Sequence, residues 1–122
     1  MTLDRRDTFR VRPATREPIP VEIVAAGILE MGQLMDVSEG GVGVQLDNSS
    51  GTDLTGKEVE LLIGFPGTHG VYAKGVVRRV RPDKSPVLGI QFVDLPVKAL
   101  DAIRNYVSFR GQRHSGKIRL SG

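Results

Sequence analysis

Cysteine is absent from the 122 residues, which excludes disulfides, thiolate metal sites and a cysteine nucleophile. Histidine occurs twice, His69 in a glycine-rich turn and His114 near the C-terminus, so neither a zinc site nor a histidine-centred catalytic group has support. Aromatic side chains are few and scattered: Phe9, Phe65, Tyr72, Phe92, Tyr106 and Phe109. They form no row of the kind that single-strand nucleic-acid binders carry on a strand face. No apolar run is long enough to span a bilayer. No apolar stretch follows the N-terminal arginines, as a secretory signal would require. The length suits one domain. The expectation is a cytoplasmic protein that is not an enzyme, holds no metal or cofactor and does not insert into a membrane.

What the chain does have is unevenly distributed charge. Residues 1–16 carry five arginines against Asp4 and Asp7, residues 17–96 carry six basic and eleven acidic groups, and residues 97–122 carry six basic groups against Asp101. The net +3 is thus an acidic middle between basic ends. A general nucleic-acid binder spreads lysine and arginine over its folded face. Here the leading arm uses arginine alone, the residue suited to planar bidentate contact and stacking.

From residue 18 onward the pattern is β. Ile19, Val21 and Ile23 alternate with Pro20, Glu22 and Val24, Gly27 suits a turn, and 28–36 suits a returning strand. Further alternation marks strands at 42–47, 58–65, 71–81 and 88–93, with Gly75 a candidate bulge or barrel corner. Six short strands favour a small antiparallel barrel or sandwich. One helix follows, with Asp94 as cap, Pro96 in its first turn, a stripe of Val97, Leu100, Ile103 and Val107, and Gly111 where a stop belongs. The organisation expected is a flexible arginine-rich arm at 1–16, a folded body at 17–110 and a flexible basic tail at 111–122.

Three clusters invite a chemical reading. Gly51-Thr52-Asp53-Leu54-Thr55-Gly56-Lys57 resembles the start of a phosphate-binding loop, but Glu58 stands where a metal-binding hydroxyl is needed and a strand follows it. It is a hairpin loop. Arg5-Arg6-Asp7-Thr8-Phe9-Arg10 contains R-x-x-x-R; on an extended arm Arg6 and Arg10 point the same way and together can grip an anion or a purine edge. Taken alone, it is more readily a solvated basic tail. Asp36-Val37-Ser38-Glu39-Gly40-Gly41 reads D-x-S-x-x-G. Alone it reads equally as a chain turn; beside the arginines it offers a carboxylate for a guanine edge, a hydroxyl donor and glycines that let a ligand approach.

The R-x-x-x-R arm, the D-x-S-x-x-G turn and Leu88-Gly89-Ile90-Gln91-Phe92 on the last strand together resemble the PilZ domain family over residues 5–110. The resemblance implies an all-β fold, a six-stranded antiparallel barrel with a C-terminal helix, and a receptor for the bacterial second messenger cyclic di-GMP. It implies that Arg6 and Arg10 hold guanine and phosphate, and that Asp36, Ser38, Gly40 and Gly41 form the barrel half of the site. Arg5, preceding the pair, implies two intercalated copies of the ligand. A protein partner regulated by the ligand-bound form is expected. The alternatives are a small β-barrel that binds nucleic acid and a PilZ-like interaction module without ligand.

Overall fold

The computed structural model describes residues 9–48 and 53–121, with side chains to residue 111. Arg5 and Arg6 lie outside the described residues. Six strands run in order: β1 (Pro20–Ala25), β2 (Ile28–Val37), β3 (Gly41–Leu46), β4 (Glu58–Ile63), β5 (Val71–Arg81) and β6 (Val87–Val93), followed by helix α1 (Val97–Ser121). All pairs are antiparallel, and the spatial order β1-β2-β3-β6-β5-β4 closes through β4 and β1. The expected six-stranded barrel with a C-terminal helix is what forms.

Strand alternation fills the interior. Val21 and Ile23 of β1, Leu61 and Ile63 of β4, Val42 and Val44 of β3, and Leu88 and Ile90 of β6 point inward and are essentially inaccessible. Each such side chain contributes about 1.5–3 kcal/mol on burial. The β1–β2 hairpin turns on Ala26 and Gly27, both at positive φ (52° and 79°), the geometry a two-residue hairpin between twisted strands demands.

Two irregularities interrupt the alternation. Register shifts interrupt β2 between Leu34 and Asp36 and β5 between Val77 and Arg79. Each inserts one extra residue and so reverses which face the following side chain takes. Gly75, the expected bulge, pairs regularly with Val59 and Phe92. Its role is close approach: a Cβ there would lie 2.5 Å from Ile90 Cγ2.

Helix α1 covers the barrel end where β2 and β4 finish. Its buried stripe is Ala99, Ile103 and Val107, with the Tyr106 ring tilted against Phe65 at a 4.9 Å centroid distance. Burial pushes the Tyr106 phenol up from its ordinary pKa. Val97, expected in the stripe, is exposed. The first helical bond runs from Leu100 N–H to the Pro96 carbonyl, and Asp94, the expected cap, lies at φ 47°. Gly111 does not end the helix, which continues to Ser121. An interior glycine costs only about 1 kcal/mol, and here it makes a seat: a Cβ at 111 would press within 3.3 Å of the Phe9 ring. Beyond Gly56–Lys57 the chain enters β4 directly, without a helix, but the expected hairpin loop is instead a crossover, because β3 and β4 are not neighbours in the barrel.

Candidate functional site

The two bulges lie on either side of the β3–β6 pair and aim charge onto one outer face. On β2, Leu34 and Val37 both point inward; the extra residue between them turns Asp36 outward opposite Gly43. On β5, buried Val77 and partly buried Val80 are separated by two exposed arginines, Arg78 and Arg79, with Arg79 opposite Gly89. Since Gly43 pairs with Gly89, one cross-strand row reads Asp36, Gly43, Gly89, Arg79. The backbones that carry the carboxylate and the guanidinium lie about 14 Å apart, three strand spacings, with two side-chain-free positions between them.

That floor is the base of an open depression of about 760 Å³, within the usual range for a small-ligand site. Arg10, Asp36, Gly40 and Gly41, four of the residues named from the motifs, line it, and so do Arg78, Arg79 and Arg81. Four guanidinium groups against one carboxylate make the rim strongly attractive to anions. Arg10 Nη1 donates to Asp36 Oδ1 at 2.7 Å across the entrance. Arg78 Nε donates to Gln91 Oε1 at 2.8 Å, which holds that guanidinium at the edge of the floor. Gly43 makes room for the carboxylate, since a Cβ there would sit 2.8 Å from Asp36 Oδ1.

Ser38 is placed differently from the expectation of a ligand donor. It is fully buried; its Oγ accepts from Gly40 N–H at 3.2 Å while its own N–H donates to the Gly41 carbonyl. A buried hydroxyl needs such a partner. Here it shapes the 38–41 turn rather than lining the depression, and the Gly40 carbonyl accepts from Phe92 N–H to tie that turn to β6.

The arm rests on the barrel from residue 9 onward. Val11 and Val37 exchange two backbone hydrogen bonds of 3.0 Å, and Val11 is buried. Helix α1 is fastened to both halves of the site: Arg104 Nε to Glu39 Oε1 at 3.1 Å, Arg110 Nε to the Arg12 carbonyl at 2.8 Å, and Gly111 beneath Phe9. Asp36 and Arg10 were legible from their motifs. Arg78, Arg79, Arg81, Gly43 and Gly89 were not singled out, although Val76-Val77-Arg78-Arg79-Val80 breaks strand alternation and Gly41-Val42-Gly43 leaves two same-face positions bare.

Among the described residues no group of His, Cys, Asp and Glu is arranged to hold a metal, and no helix is long and apolar enough to cross a membrane. No curated protein sequence matches the chain significantly. The PilZ domain family model matches residues 4–109. Solved structures with the same fold include the PilZ domain, with c-di-GMP, of YcgR from Escherichia coli. It shows 14% identity and a TM-score of 0.77, with 94% of this chain and 98% of that one covered. The Bacillus subtilis inhibitor of motility MotI/DgrA matches at 18% identity and TM-score 0.71, covering 85% of this chain and 50% of that one. Borreliella burgdorferi PlzA, solved in complex with c-di-GMP, matches at 19% identity and TM-score 0.57, covering 80% and 39%.

Proposed function

Because the chain belongs to the PilZ domain family, we propose that it is a receptor for cyclic di-GMP, held between the arginine arm and the outer face of β2, β3, β6 and β5. The observation that carries this reading is the row Asp36, Gly43, Gly89, Arg79 beneath Arg10. A flat base needs a floor without side chains, a guanine N1–H and N2–H₂ edge needs a carboxylate acceptor, and phosphates need guanidinium groups. All three lie within one depression.

In this mechanism Asp36 accepts from the guanine edge, and Arg10 leaves Asp36 to take a phosphate or the guanine O6 and N7. Arg6, four residues before Arg10, closes from the same side. Arg5 supplies the further charge and stacking surface for a second, intercalated copy, so the complex holds two ligands per chain. Arg78, Arg79 and Arg81 neutralise the phosphates of that pair along the opposite rim. Ser38 acts by fixing the turn that presents Gly40 and Gly41.

The signal passes through α1. Exchanging the Arg10–Asp36 pair for ligand contacts moves arm and turn, both of which the helix grips through Arg110 and Arg104. A partner protein that reads the helix reads ligand occupancy. No covalent bond is made or broken in this cycle.

Titration calorimetry with cyclic di-GMP and with single-stranded DNA, on the wild type and Arg10→Ala, tests the reading. Expected are dinucleotide binding at two per chain, loss in the variant, weakening as salt rises, and no comparable DNA binding. Saturation at one ligand per chain sinks the intercalated pair alone. Binding to DNA only, unchanged by the substitution, sinks the receptor.

A further inference from the structure

The barrel wall remote from the depression has a character of its own. Register places Met31, Glu22, Leu62 and Tyr72 in one outward row across β2, β1, β4 and β5, with Leu29, Val24, Glu60 and Lys74 in the next. The apolar members are markedly exposed: Leu29 56%, Met31 43%, Tyr72 43%, Val24 40% and Leu62 39%. Ile28 at the hairpin turn extends the patch. Single exposed apolar residues are ordinary, but a contiguous group marks a contact surface.

Within this group stand two carboxylates, Glu22 flanked by Met31 and Leu62, and Glu60 between Val24 and Lys74. Neither makes an ion pair among the described residues, where the two salt bridges are Arg10–Asp36 and Arg104–Glu39. A carboxylate covered by an apolar partner without a cation would lose its water uncompensated, so whatever covers this wall must bring positive charge. An anionic lipid surface brings the wrong sign. A second copy docking face to face brings four carboxylates against two lysines.

We propose that the outer face of β2, β1, β4 and β5 is a docking surface for a cationic amphipathic helix of a partner protein. Its leucine-like side chains cover Met31, Leu62 and Tyr72, and its lysines or arginines pair with Glu22 and Glu60. Helices are the usual cover for an apolar sheet face. The surface is separate from the arginine-rimmed depression, so the proposal holds or fails without reference to the dinucleotide.

The test uses the full chain and two synthetic helical peptides, one of leucine and lysine, one of leucine and glutamate, followed by fluorescence anisotropy. The leucine–lysine peptide is expected to bind one per chain. Tyr72→Ser should weaken it at least tenfold. Glu22→Lys with Glu60→Lys should do the same and transfer binding to the leucine–glutamate peptide. Thermal melts of the variants, all at solvent-facing positions, establish that the barrel persists. No peptide binding, binding unchanged by these substitutions, or failure of the charge reversal to switch preference overturns the proposal. So does tighter binding of anionic phospholipid vesicles that depends on Tyr72, or a concentration-dependent dimer in sedimentation that Tyr72→Ser dissolves.

Discussion

Two walls of one barrel, built by the same alternation, have opposite surfaces. The β2–β3–β6–β5 wall carries arginines around a glycine floor, whereas the β2–β1–β4–β5 wall carries apolar side chains around unpaired glutamates. The difference begins with regularity. Where pairing is regular, outward positions are simply every second residue, and their side chains pave the surface. Where a bulge intervenes, two consecutive residues face outward and charges are turned from the core to the rim, as at Asp36 and at Arg78 with Arg79. Missing side chains at Gly43 and Gly89 then leave the backbone itself as the binding surface. The proposed ligand site is made by what the strands omit and where they slip; the proposed contact surface is made by what they display.

The comparison can be broken most severely from inside. Leu61→Ala removes a side chain shared by the whole core, should cost about 2–5 kcal/mol, and lowers the melting temperature for both walls alike; a variant that loses one wall's binding at unchanged stability would show the walls to be unequal in their dependence on the core. Asp36→Ala should leave the melt nearly unchanged, as expected for a half-exposed ion pair, yet lower cyclic di-GMP affinity about 100-fold, because two charge-assisted hydrogen bonds to the guanine edge are lost. Equal affinity in calorimetry would remove Asp36 from the site.

Gly43→Ala is a finer cut. Its new methyl meets only the movable end of Asp36, so folding should persist while the displaced carboxylate lowers ligand affinity about tenfold, the scale of one displaced hydrogen bond. Tyr72→Ser on the other wall should change cyclic di-GMP affinity by less than about twofold, since it touches nothing in the depression; a larger loss in the same titration would tie the two walls together. The smallest effect belongs to Asp53, whose carboxyl accepts from the backbone N–H and then the hydroxyl of Thr55 and is held below its ordinary value of 3.8. A lowered folded value means stability that is present above the ordinary carboxylate range and is lost as pH falls through the folded value. Asp53→Asn should therefore lower the melting temperature slightly at neutral pH and flatten the acid side of the profile, the difference from wild type vanishing once the wild-type carboxyl is protonated.

The same contrast explains what the sequence could disclose. Period-two patterns fix β1, β4 and most of β5 because one face of each is buried, and a buried face punishes any other register. The β2 bulge leaves no compositional mark, so the outward turn of Asp36 rests on motif resemblance; the β5 bulge does break alternation at Arg78 and Arg79, but two arginines in a strand look the same whether they face solvent or a ligand. Ser38 was legible as part of the turn but its burial was not, because the turn is held by contacts distant in pattern: Gly40 N–H donates to its Oγ, and Phe92 N–H donates to the Gly40 carbonyl. Gly111 resembled a helix stop because its real neighbour, Phe9, lies a hundred residues away in the chain.

The pairing of β4 with β1 has one more consequence. A sheet that closes on itself has no terminal strand and offers no unpaired row of N–H and C=O groups. Neither a partner nor another copy can join by adding a strand to it. Whatever this protein recognises must be read through side chains and bare backbone patches on a continuous wall. Such a wall can carry two unlike surfaces with little risk of edge-to-edge aggregation.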